Sequence, residues 1–353
     1  MPGRRALAQM RGHHHPRQRG IPVGGDSYSQ DQLCLISLAA TDGVGPTSVR
    51  KLFAGAQASG RALAEILLCS PAELERRFDI PAKAALALSH ARVSVAGGAA
   101  VADALEGMDA RVIFEGSRDY PGKLTRFLGD AAPPVLFLLG DPGVLKRTCV
   151  AVVGSRAPSK AAVSAARSFA AGLASAGVTV VSGGAVGIDT AGHAGAIACG
   201  ATAVVPPVGL ARFRWRGVRA ADLERASWCV VGQFAPDRCW RTGNALIRNR
   251  TIVALADAVV AFEPRDRGGT WHACLTGLEM RKPLFVAGRA ADAARRHGMS
   301  RLLRLGAREL DLRDMPDAAE FQQSVRAWRP PCEQAQLPLF VEPRVEGPAA
   351  GHD

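Results

Sequence analysis

The sequence is poor in aromatic side chains: Phe, Tyr and Trp make up 5% of its 353 residues. Binding by stacking many bases on many rings is therefore not advertised, and backbone and phosphate contacts are the better expectation for any nucleic acid. Zinc spacing is missing too. The eight Cys, at 34, 69, 149, 199, 229, 239, 274 and 332, form no C-x-x-C pair and mostly lie inside apolar runs. That pattern argues against a zinc cluster or a disulfide framework and for reduced core thiols. No metal and no cofactor are expected. No apolar run reaches the roughly 18 residues of a membrane span. The N-terminus lacks the apolar centre of a signal peptide, so a cytoplasmic location is expected. Acid is scarce against base, with 32 Asp and Glu facing 44 Lys and Arg for a net charge of +12. The imbalance favours an acidic partner, nucleic acid ahead of an anionic membrane. Arg outnumbers Lys, as a GC-rich genome also produces without selection.

Residues 1–28 carry Arg at 4, 5, 11, 17 and 19 against Asp26 alone and read as a disordered basic arm. His13, His14 and His15 lie in it, as weak metal ligands or simply a solvated run. Residues 29–107 read as a small all-helical domain. Within it, an apolar stretch at 33–40 is followed by Asp42-Gly43-Val44-Gly45-Pro46-Thr47 and a second helix. This SAM-like or helix-hairpin-helix-like turn offers Gly43, Gly45, Arg50 and Lys51 as DNA contacts, or plain helical packing. Ser70, Pro71 and Glu73 open another helix as cap, first position and third position.

Residues 108–326 read as an α/β domain. Short β-branched runs at 149–153, 178–182, 202–205, 228–232, 258–262 and 284–287 alternate with helices at about 159–176, 189–199, 220–226, 243–256 and 270–281. Ala110 to Phe114 reads as a further strand, and 289–326 as a small appendage. The expected fold class is α/β: an extended Rossmann-like, doubly wound, mostly parallel sheet. The turns after 153 and 182 then meet at the carboxyl ends of neighbouring strands. Free backbone N–H groups at helix N-termini would line that crevice and attract an anion, with Arg156 in it and Ser159 or Asp189 as caps. The dinucleotide signature Gly-x-Gly-x-x-Gly is missing, and Ser182-Gly183-Gly184 stands where an acid would hold a ribose. Asp189 and His193 lie four apart on one helical face, as an acid/base pair or as a cap and a packing imidazole. Trp215 and Trp271 could stack a base or sit in the core.

Taken together, Val152-Val153-Gly154-Ser155-Arg156, Ser182-Gly183-Gly184, Gly187-Ile188-Asp189, His193-Ala194-Gly195-Ala196, Arg248-Asn249-Arg250-Thr251-Ile252-Val253 and Pro283-Leu284-Phe285-Val286-Ala287-Gly288 resemble the DprA/Smf family. Tyr120-Pro121 and Pro133-Pro134-Val135-Leu136-Phe137 resemble the segment leading into its sheet. The resemblance runs from about 32 to 318. It implies a non-catalytic, homodimeric protein that binds single-stranded DNA, shields incoming DNA and loads RecA in natural transformation. Carried over by position, it implies a DNA pocket of Gly154, Ser155, Arg156, Ser182, Gly183, Gly184, Arg248, Asn249 and Arg250. The family's Leu or Met at 184 is Gly here. Its basic pocket residue falls in 209–216, where Arg212 and Arg214 are the candidates. Its frequent C-terminal winged helix is not expected.

The tail, 327–353, reads as disordered. In it Gln336-Leu337-Pro338-Leu339-Phe340 is similar to the sliding-clamp-binding pentapeptide, with Gln336, Leu337, Leu339 and Phe340 as anchors, unless it packs on its own domain. Two competing readings use the same fold. One is a LOG-like phosphoribohydrolase, which Gly268-Gly269-Thr270 and Glu279 resemble without that family's Pro or spacing. The other is a nucleotide sensor in a defence system.

Overall fold

A computed structural model describes residues 28–329, except 92, 289–292 and 312. The basic arm, the histidine run and the 336–340 pentapeptide lie outside the described residues. Helices come first: α1 (Gln30–Ala40), α2 (Pro46–Ser59), α3 (Leu63–Ile66), α4 (Pro71–Phe78), α5 (Ala82–Ala91) and α6 (Val95–Glu106). Their starts follow local chemistry. Ser29 and Gln32 form a capping box on α1, and Ser70 and Glu73 form one on α4 with Pro71 at its first position.

The remaining strands are β1 (Ala110–Phe114), β2 (Val135–Gly140), β3 (Cys149–Gly154), β4 (Thr179–Ser182), β5 (Ala201–Val204), β6 (Ser227–Gly232), β7 (Ala258–Phe262), β8 (Leu284–Ala287) and β9 (Arg308–Leu310). Between them lie α7 (Gly122–Leu128), α8 (Lys160–Ser175), α9 (Ile188–Cys199), α10 (Ala220–Leu223), α11 (Thr242–Leu255), α12 (Gly269–Glu279), α13 (Ala293–Arg304) and, last, α14 (Ala318–Ala327). The strands form a nine-stranded sheet in the order β1-β2-β6-β5-β4-β3-β7-β8-β9. From β6 to β9 every pairing is parallel, while β1–β2 and β2–β6 are antiparallel. The chain winds outward from β3 in one direction, returns, and winds outward in the other. The switch lies at β3 and β7, where open α/β sheets leave a crevice at the carboxyl ends of the strands.

Alternation along the strands divides the core into layers. Ala151 and Val153 of β3 join α7, α11, α12 and α13 on one face, and Val150 and Val152 join α8, α9 and α14 on the other. The second face is covered in two halves. Over β1, β2, β5 and β6 its cover is the N-terminal helical segment: Val135, Phe137, Val204 and Val230 share a core with Leu33, Leu52 and Leu88. The segment expected as a separate domain at 29–107 is thus a layer of the same molecule. Nor is 289–326 an appendage. β9 pairs with β8, and fully buried Phe321 of α14 meets Phe169 at 5.1 Å and Phe285 at 4.9 Å between ring centroids.

α1 and α6 pack backbone to backbone. A Cβ on Gly98 would stand 1.9 Å from the Leu33 carbonyl oxygen. Gly98→Ala is expected to destabilise by about 3 kcal/mol through enforced separation of the two helices. By contrast Gly172→Ala, on α8 with nothing within 4 Å of the new Cβ, is expected to stabilise by about 0.5–1 kcal/mol. Urea midpoints of the two variants on either side of the wild type check the pair of assignments.

Candidate nucleic-acid interface

The first turn of the crevice leaves β3 at Gly154. A Cβ there would strike Ile188 and the Phe262 carbonyl at 2.6 Å, so only glycine lets β3, β7 and α9 converge. Ser155 donates its backbone N–H to the Phe262 carbonyl at 3.1 Å, and its hydroxyl accepts from Ala157 N–H at 3.2 Å. Arg156 follows, exposed. Ser159 caps α8, accepting from Ala162 N–H at 3.1 Å, while its own N–H goes to the buried Glu263 carboxylate at 2.9 Å.

The second turn leaves β4 at Ser182. Here the expected anion hole is already filled. Asp189 does not cap α9, whose N-cap is Gly187. Its carboxylate turns back to accept Gly183 N–H at 3.2 Å and Ala185 N–H at 3.3 Å. These two N–H groups are therefore not free to receive an anion. Burial raises the Asp189 carboxyl above its ordinary value, opposed by Arg248 and by these hydrogen bonds. Gly184, where the family carries Leu or Met, has φ +70°, and Phe213 packs 3.5 Å from where its Cβ would be. A left-handed backbone and an aromatic neighbour together explain glycine at this position.

Arg248 comes from the middle of α11 and is 5% exposed. Its guanidinium lies against Gly183, so close that a Cβ there would be 1.6 Å from Nη1. Among the described residues its buried Nε has no hydrogen-bond partner. Burial lowers its affinity for the proton, Asp189 restores some of it, and the Arg156 charge works against it. Arg156 and Arg248 are thus near enough to repel.

The other expected residues divide. Asn249 donates to the Gly269 carbonyl at 3.0 Å and Thr270 to the Gly154 carbonyl at 2.9 Å. These bonds stitch the loop before α12 onto the first turn, so Asn249 holds that loop. Arg250 is two residues beyond Arg248, about 200° around the helix, and pairs with Glu279 of α12 at 3.2 Å. The segment after β5 crosses the carboxyl edge. On it Arg212 donates to the Asp237 carbonyl at 3.1 Å, and Arg214 donates to the Ala211 and Phe213 carbonyls at 2.9 and 2.6 Å. Both are exposed.

Arg50 and Lys51 are occupied inside the molecule. Arg50 pairs with Glu115 and donates to the Ala132 carbonyl at 2.8 Å, and Lys51 pairs with Asp79. Gly43 has φ +82° and packs on Ala87, while Gly45 is the N-cap of α2. The Gly-x-Gly turn fastens the helical layer to the sheet's lead-in segment, and its Asp42 carboxylate pairs with Arg238 and Arg241 beyond β6.

The aromatic residues also divide. Trp271 is 8% exposed in the core. Trp215 stands edge-on to His193, Phe213 and Trp228, with its indole N–H buried. Trp240, which sequence reasoning passed over, is 53% exposed on the β6–α11 loop at the carboxyl edge. Its sequence neighbours gave a signal: Arg238, Cys239 and Arg241 surround it with no apolar run to bury it.

Asp189 and His193 bond to different partners and not to each other. His193 Nδ1–H donates to the Thr202 hydroxyl at 2.8 Å, the tautomer following because that hydroxyl itself donates to the Val180 carbonyl. Burial pushes the imidazole down to about 3.

The family model described as DNA recombination-mediator protein A matches residues 111–320. The chain is 32% identical over 169 residues to the DNA processing protein DprA of Streptococcus pneumoniae, a match covering 47% of this chain and 59% of that protein. It is 38% identical over 182 residues to the protein Smf of Borreliella burgdorferi, covering 50% and 57%. The matches therefore span little more than half the length of these curated relatives. Among solved structures, the X-ray structure of DNA processing protein A from S. pneumoniae aligns with TM-score 0.63 and 22% identity, over 86% of this chain and 99% of that one. DNA processing protein A from Helicobacter pylori, described for its single-stranded DNA binding mode, aligns with TM-score 0.52 and 22% identity, over 62% and 97%. These likenesses show the fold.

Proposed function

The chain belongs to the family of DNA recombination-mediator protein A, and we propose from that premise that its crevice binds single-stranded DNA without making or breaking a bond. Arg156 and Arg248 grip the phosphates, and Trp240 offers a face for a base. The observation that carries this reading is Arg248: a buried guanidinium whose Nε has no hydrogen-bond partner among the described residues, within reach of the Arg156 charge, at the mouth of a parallel sheet. An anion placed between two cations relieves their repulsion and supplies the missing acceptor. Arg matches phosphate with two parallel hydrogen bonds. A polyanion with a backbone charge at every step also suits a chain of net charge +12.

On this reading the protein shields an incoming strand and passes it to RecA, with a second copy of the chain and the sliding clamp as further partners. The clamp would dock the 336–340 peptide. Among the described residues no single helix is long and apolar enough to cross a membrane.

Titration of a fluorescent dT oligomer at two salt concentrations tests the reading. The expected result is micromolar or tighter affinity at low salt that falls steeply as salt rises. Trp240→Ala is expected to weaken it by about tenfold through lost stacking. No binding at low salt, together with release of free base from a nucleoside monophosphate, would favour the phosphoribohydrolase instead. Nuclease protection of the oligomer and RecA filament growth on coated strands test the two later steps.

A further inference from the structure

A groove of about 390 Å³ opens beside the crevice, between the N-terminal halves of α8 and α9. Its floor is apolar: Val163 of α8, Ala191 and Ala194 of α9, and Val186, which is 46% exposed. Arg167 and Arg216, both exposed, stand on its walls. Neither guanidinium makes a hydrogen bond or ion pair among the described residues.

The groove is built by close approaches. At its inner end a Cβ on Gly195 would stand 2.1 Å from the Arg167 carbonyl, which fixes the spacing of α8 and α9. Arg216 is positioned by Gly217, which has φ +66° and sits on Thr190, 2.7 Å from its methyl if a Cβ were present. At its lip lies Gly187, where a Cβ would meet the Ser155 carbonyl at 2.4 Å and Arg156 Cα at 3.0 Å. The groove therefore begins where the first turn of the crevice ends.

We propose that this groove is a second station on the path of a single DNA strand leaving the crevice. One base lies on Val163, Val186 and Ala194, and the phosphates on either side of it meet Arg167 and Arg216. The inference rests on the reading that the crevice itself binds single-stranded DNA. An apolar floor between two exposed cations fits a nucleotide's own division into base and phosphate. An acidic peptide would fill the cation positions and leave the floor bare, and an apolar peptide would leave both cations unmatched.

The test compares wild type with an Arg167→Glu/Arg216→Glu variant, using dT6 and dT20 as probes over a range of salt. Both positions are exposed, so the variant is expected to keep the wild-type melting temperature. The expected result has three parts. The variant binds dT6 like wild type, loses roughly tenfold to thirtyfold in affinity for dT20 at 0.1 M salt, and shows a salt slope for dT20 shallower by about 1.4, as two lost phosphate contacts require. If the variant follows wild type at both lengths, the groove is not on the path and the inference is overturned while the crevice reading stands. Equal losses for dT6 and dT20 also overturn it, because the arginines would then belong to the crevice. If wild type binds neither oligomer, the crevice reading fails and the inference fails with it. Displacement from the groove by poly-glutamate but not by dT20 overturns it in favour of an acidic peptide.

Discussion

Arg248→Ala is expected to lower affinity for a dT oligomer by about a hundredfold or more, while Arg250→Ala changes it by less than about threefold. The two arginines sit two residues apart and look equivalent in the sequence, but α11 turns them to opposite sides. Arg250 already holds Glu279, while Arg248 lies buried on Gly183 with an Nε that finds no acceptor among the described residues. A charge-assisted hydrogen bond contributes about 1.5–3 kcal/mol, so losing a two-pronged grip on a phosphate reaches about 3 kcal/mol, or roughly two decades in affinity. Removing Arg248 also takes away a charge that favours the ionised Asp189 carboxylate, so some loss of stability is expected beside the loss of binding. A folding defect is separated from a binding defect by two companion variants. Gly183→Ala keeps the charge and displaces the guanidinium, since the new Cβ would be 1.6 Å from Nη1. Arg156→Ala removes an exposed cation with no expected change in melting temperature. Both should weaken binding by about tenfold or more, one charge-assisted contact each. Wild-type affinity in a folded Arg248→Ala protein, read by anisotropy, would remove the crevice from the argument.

The sheet was legible because buried parallel strands are short β-branched runs, and Ser159 and Ser70 mark helix starts at the positions where the caps occur. The order of layers was not. Nothing in the 33–40 run says whether it covers its own helices or the faces of β2, β5 and β6. That is decided by Phe137, Val204 and Val230, far along the chain. The role of Asp189 was hidden for a similar reason. A carboxylate beside a helix start reads as a cap, and only the tight turn from Gly183 to Gly187 brings it back to N–H groups that precede it. Some of the site could have been read and was not. The 3.6-residue period already separates Arg248 from Arg250. The polar neighbours of Trp240 already set it apart from Trp271, which lies within a helix facing the sheet. Family positions carried over residue by residue say which side chains occur at a site, but not which way a helix points them.

The buried imidazole of His193 is expected to make the protein sensitive to acid well above the range of ordinary carboxylates. In the folded state its proton affinity is pushed down to about 3 by burial, with Arg248 adding repulsion. In the unfolded chain it returns to about 6.5. The folded-state value is depressed, so the unfolded state binds the extra proton. The contribution to stability is complete above about pH 6.5 and is lost as the pH falls from there towards 3. The slope approaches about 1.4 kcal/mol per pH unit, which amounts to about 2–3 kcal/mol between pH 6.5 and 4.5. Urea denaturation of wild type and His193→Gln at pH 7.5 and pH 4.5 isolates this group, because Gln does not titrate and the carboxylates are common to both. The wild type should lose about 2–3 kcal/mol more than the variant. Equal losses would mean that the imidazole is hydrated or paired in the folded state, and would reopen Nε2 as a working base. The expected difference instead fixes His193 as a neutral strut, donating through Nδ1 to Thr202 and packing against Trp215. On the proposed reading the arginines beside it, and not His193, meet the DNA.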